Sequence, residues 1–131
     1  MPDLLPDNFG TETATPPVAI LREQAEHLTK RTSGLVLGRV STTQKGGKLV
    51  QRFILEVPSL DDYAYELFTV QHSILLYPAE LRHAVTAITT NTSCDNQEEF
   101  QKALQEFFAL PEVGKIVTAL KAQAVPAGAT G

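Results

Sequence analysis

Lys45-Gly46-Gly47-Lys48 joins two segments of alternating apolar and polar residues, and that junction restricts the fold more than any other stretch of the chain. Adjacent glycines take the positive φ angles that a tight hairpin turn needs. On one side, Leu35 to Thr42 accumulates β-branched residues and loses helical spacing. On the other, Leu49 to Val57 puts Phe53, Leu55 and Val57 on one strand face and Arg52, Ile54 and Glu56 on the opposite one. Strands joined by so short a turn pair antiparallel.

The same pattern continues beyond the hairpin. Pro58-Ser59-Leu60-Asp61-Asp62 is a break, and Tyr63 to Val70 predicts a third strand. Simple alternation gives one face Tyr63, Tyr65 and Leu67 and the other Ala64, Glu66 and Phe68, so both faces carry large groups. A fourth strand is expected over Ile74 to Tyr77, closed by Pro78, and a fifth near residues 84–90. Ala79 to Ala84 reads equally as one helical turn.

Helices flank this run. Thr15-Pro16-Pro17 is a start signal, with threonine as the capping residue and proline in the first turn. Val18, Leu21, Ala25 and Leu28 then form a stripe at helical spacing, and Ser33-Gly34 stops it, so a helix is expected over 16–32. Asp95-Asn96-Gln97-Glu98 resembles a capping box before the Phe100, Leu104, Phe107, Phe108 stripe. Pro111 opens a last helix carrying Val113, Ile116, Val117, Leu120 and Ala124, in which Gly114 costs up to about 1 kcal/mol relative to alanine. The fold class is therefore α+β: an antiparallel meander sheet of four to five strands, one N-terminal helix and two C-terminal helices. Residues 1–14 read as a flexible arm, 15–124 as a single domain and 125–131 as a disordered tail.

Composition narrows function mainly by exclusion. Fifteen acidic against eleven basic residues give a net charge of −4, and the basic residues are dispersed, which argues against nucleic-acid binding. No apolar run approaches membrane-spanning length, the N-terminus lacks the features of a secretory signal, and the single Cys94 has no internal disulfide partner. A soluble, cytoplasmic protein is the expectation. His27, His72 and His83 show no metal-ligand spacing, so neither metal nor cofactor is expected. Cys94 precedes a helix N-terminus, whose dipole would favour the thiolate, but no flanking signature supports a nucleophile. Catalytic residues are not evident.

The resulting expectation is a protein-binding or self-associating module, with inhibitor or immunity-type proteins as one subclass, since an acidic surface suits a basic partner. A sheet apolar on both faces needs helices on both sides or a second subunit, so a homodimer through the sheet is expected, involving Tyr63, Tyr65 or Tyr77. The alternative is a small-ligand-binding protein or enzyme with a pocket between the sheet and the first helix. Tyr65, Glu66 and His72 are its first polar candidates.

Overall fold

The computed structural model describes residues 1–124. The expected tail at 125–131 lies outside the described residues. Five antiparallel strands follow one another in chain order across one sheet: β1 Leu37–Lys45, β2 Lys48–Val57, β3 Tyr63–His72, β4 Ala79–His83 and β5 Thr90–Cys94. α1, Pro17–Arg31, precedes the sheet; α2, Gln97–Phe108, and α3, Pro111–Ala124, follow it. This is the α+β arrangement expected from the pattern. Side chains from all three helices join the inward sheet residues in one core cluster.

Local chemistry accounts for the boundaries. Gly46 and Gly47, at φ 57° and 78°, form the two-residue turn between β1 and β2. α1 begins at Pro17 without a side-chain cap; Pro16 occupies the cap position, and Thr15 instead offers its carbonyl to the Tyr77 hydroxyl at 3.3 Å. The helix ends in a Schellman arrangement, with Gly34 N–H donating to the Thr29 carbonyl (2.9 Å) and Ser33 N–H to that of Lys30 (3.1 Å). The cap of α2 lies one residue later than expected. Asn96 Oδ1 accepts from Glu99 N–H at 2.9 Å, and Glu99 Oε1 accepts from Asp95 N–H at 3.2 Å.

Two expected strands lie elsewhere. Ile74 to Tyr77 is a loop, not a strand: Leu76 N–H donates to the Ser73 carbonyl, and Ile74 and Leu75 are 79% and 80% exposed at its tip. The fourth strand is instead Ala79–His83. Ala79 and Leu81 turn inward and Glu80 and Arg82 outward, a period-2 pattern hidden in what read as a helical turn. Residues 84–89 connect, and the fifth strand is Thr90–Cys94. That strand is polar because it is a sheet edge with one side in solvent, so hydrophobicity is a poor guide to it.

A bulge in β3 resolves the apparent loading of both sheet faces. Phe53 pairs with Phe68 while Ile54 pairs with Glu66, so one extra residue, Leu67, sits in the ladder. An inserted residue inverts the alternation beyond it. Tyr63 and Tyr65 therefore share the helix-side face with Phe68, Val70 and His72. Leu67 is also buried in the core. The opposite face mixes ion pairs, Arg39 with Glu56 (3.1 Å) and Arg52 with Glu66 (2.8 Å), with the apolar residues Leu37, Val50 and Ile54. The bulge thus places the large groups of β3 on the helix side, so β3 gives no reason for a subunit over the opposite face, where Val50 and Ile54 of β2 remain.

Candidate functional site

The sequence-derived candidates occupy separate places. Tyr65 lies opposite Leu55 on the helix side and packs against the core, whereas Glu66 points to the other face and binds Arg52. His72 is buried, 3% exposed, near the far end of β3. It belongs to a relay of hydrogen bonds. Thr42 Oγ1 donates to Gln51 Oε1, Gln51 Nε2 meets His72 Nε2 at 3.2 Å, and His72 Nδ1 meets the Ser73 carbonyl at 2.8 Å. The arrangement that satisfies every partner has the ring donating from Nδ1 and accepting at Nε2. With Gln51 only 2% exposed, this relay satisfies buried polar groups. Tyr65, Glu66 and His72 do not converge.

Of the three tyrosines, Tyr63 and Tyr65 are neighbours on one face of β3, and Tyr77 is apart from them. Tyr63 is 49% exposed at the start of β3. Tyr77 lies in the loop beyond the other end of that strand, which is itself roughly 30 Å long at about 3.3 Å per residue. Its ring is 6.3 Å from that of Phe100, and burial raises its hydroxyl pKa above the usual value. Cys94 is 1% exposed at the end of β5, and burial, with Glu99 and Asp95 nearby, raises its pKa. Desolvation therefore outweighs the expected dipole activation, and the thiol is not primed as a nucleophile.

His83 is the other perturbed group. Its ring lies 4.8 Å from Phe107, Nδ1 has no hydrogen-bond partner among the described residues, and burial lowers its pKa despite the opposing pull of Glu112. The unfolded chain then takes this proton more readily than the folded one. The His83 contribution to stability is complete above the ordinary value of 6.5 and declines as pH falls below it. Melting curves between pH 7.5 and 5 should show a steeper loss of Tm in the native protein than in His83→Leu. Parallel curves would contradict this assignment.

Two broad depressions border α1. One, of about 910 Å³, opens between α1 and the edge strand β1. It matches the expected location of a pocket between sheet and first helix but has a different lining. Its floor includes Ala19, Ala25 and Gly38, and its rim mixes Arg22, Lys30 and Arg39 with Glu23 and Glu26. Such mixed charge confers little preference for the sign of a ligand.

The second, of about 570 Å³, is a groove between the C-terminal half of α1 and α3. Leu28, Phe108, Val113 and Val117 supply apolar surface that is continuous with the core. Arg31 and Lys121 stand exposed on opposite rims, each in the last turn of its helix, where the dipole favours a cation. Neither has a carboxylate partner within 4.0 Å among the described residues. The His27 imidazole lies on the α1 side, 3.8 Å from Glu23.

Gly114 also lines this groove. Glycine within an element is commonly explained by a close neighbour, as at Gly38 in β1, where an added Cβ would lie 2.6 Å from the Ala25 carbonyl oxygen. At Gly114 an added Cβ would meet nothing within 4 Å, and no positive φ requires glycine. The intrachain packing therefore gives no reason for tolerating its helix cost. Sequence reasoning registered that cost without its location. It missed the groove because the α1 and α3 walls are about ninety positions apart in the chain.

Among the described residues, no group of three or more His, Cys, Asp or Glu side chains is arranged to hold a metal, and no helix is long and apolar enough to cross a membrane. The chain matches no family model, no curated protein and no solved structure.

Proposed function

We propose that this protein is a protein-binding module whose α1–α3 groove takes an acidic segment carrying apolar side chains. The observation that carries the reading is the combination of an apolar floor with Arg31 and Lys121 on its rims. Apolar anchors supply contact energy, and charge complementarity selects partner and register. Gly114 supports the same reading, because the missing side chain leaves room for close approach by another backbone. An inhibitor or immunity-type role against a basic partner would draw on acidic surfaces elsewhere, so the groove does not favour that subclass.

The test uses a fluorescent peptide of Asp, Leu and Phe residues and a control with Lys replacing Asp. Fluorescence anisotropy should report binding of the acidic peptide alone, weakening at least about tenfold in Arg31→Glu/Lys121→Glu, which corresponds to about 1.4 kcal/mol. Gly114→Ala should separate stability from function: it raises stability by up to about 1 kcal/mol, yet lowers affinity. Equal binding of both peptides, or unchanged affinity in the charge-reversed variant, would overturn the reading.

A further inference from the structure

We propose that the groove's occupant is the N-terminal arm of a second copy of this chain, giving a reciprocal arm-exchanged dimer. This inference rests on the binding role proposed for the groove and assigns its partner. The arm has the chemistry that the groove lacks. Residues 1–15 are exposed, and Leu4, Leu5 and Phe9 are 79%, 55% and 62% exposed. Asp3, Asp7 and Glu12 occupy the same segment, and the first sixteen residues contain no Lys or Arg. Most of the chain's net charge of −4 therefore resides in an arm that also displays its own large apolar groups. Such exposed apolar groups are contact surface awaiting cover.

The arm is also partly shaped before it binds. Phe9 N–H donates to the Pro6 carbonyl at 2.9 Å, and Leu5 N–H donates to Asp3 Oδ1 at 3.0 Å. Thr11 donates through both its amide and hydroxyl to the Asn8 carbonyl. Preformed turns reduce the ordering cost of association.

Direction favours a second copy over the arm's own groove. Thr15 is tied to Tyr77, and Pro16 is extended, at φ −71° and ψ 154°. Pro16-Pro17 is stiff and leads into the N-terminal end of α1. The groove lies beside the helix's other half, beginning at Gln24. The arm would have to reverse around that junction to reach its own Leu28. Between two copies, each arm can serve the other's groove, which yields a closed twofold assembly.

Sedimentation equilibrium of the full chain across micromolar concentrations should show association from 14.3 kDa to twice that mass. Leu4→Ser/Leu5→Ser/Phe9→Ser and, separately, Arg31→Glu/Lys121→Glu should each raise the dimer Kd at least about tenfold. Thermal melts check that each variant remains folded. Charge exchange adds a gain of function: Asp3→Lys/Asp7→Lys mixed with Arg31→Glu/Lys121→Glu should restore a heterodimer. A monomeric native chain, or a dimer indifferent to the arm substitutions, would overturn the second-copy assignment. If the native chain is monomeric while the acidic probe peptide still binds the groove, only that assignment fails; if the peptide also fails to bind, the groove reading fails with it.

Discussion

Phe68→Ala is expected to lower the free energy of unfolding by about 3–5 kcal/mol, a large share of the stability of a domain this size. Phe68 is 2% exposed where the sheet meets the helices. Its ring stacks on Phe53 at 4.9 Å and 12°, and meets Phe107 edge-on at 4.8 Å and 66°. Phe108 closes the group, 5.9 Å from Phe68 and 5.8 Å from Phe53. Truncation removes buried apolar area and several favourable ring contacts together, and it leaves a cavity that neighbours on a rigid sheet cannot fill. Urea titration should show a lower midpoint with an unchanged slope. A loss below about 1 kcal/mol would place Phe68 outside a close-packed core and contradict the bulge that turns it inward.

Gly38→Val should be comparably damaging for the opposite reason, an excess of volume. A Cβ on residue 38 would lie 2.6 Å from the oxygen, 2.7 Å from Cα and 2.9 Å from Cβ of Ala25. Two of those atoms are backbone, so α1 must move away from β1 to make room. The movement also stretches the bond from Gly38 N–H to Thr29 Oγ1, now 2.9 Å, while that hydroxyl donates to the Ala25 carbonyl at 3.0 Å. Overpacking typically costs about 1–3 kcal/mol and a lost hydrogen bond about another 0.5–1.5. A loss above about 2 kcal/mol by denaturant titration is the expected result. Stability equal to the native protein would show that helix and strand are less closely packed. Gly114→Ala, also Gly to a larger residue in this domain, carries the opposite expected sign because its surroundings are open.

Element order was legible because the relevant signals are local. Paired glycines define the first hairpin, apolar stripes at helical spacing define the three helices, and antiparallel pairing follows from short connections. The errors arose where tertiary context overrides local pattern. A one-residue bulge at Leu67 inverts the face of every later residue in β3, so counting by two put Phe68 on the face opposite Tyr63 and Tyr65. Ile74 and Leu75 are apolar but sit at a loop tip, while polar Thr90–Cys94 completes the sheet as an edge. The candidate site was less legible. Leu28, Phe108 and Val117 appear in separate apolar stripes, and their common groove exists only once α1 and α3 are packed together. The arm's acidic and apolar composition, by contrast, is fully visible in the sequence.

The location of peptide binding tests the central claim most directly. Backbone amide NMR spectra, recorded during titration with the acidic Leu- and Phe-containing peptide, report every residue whose surroundings change. The account predicts the largest shifts at Leu28, Arg31, Phe108, Gly114, Val117 and Lys121, diminishing with added salt as screening weakens the rim charges. Shifts centred instead on Arg39, Arg52 and Arg82 of the outer sheet face, or the absence of saturable shifts, would contradict it.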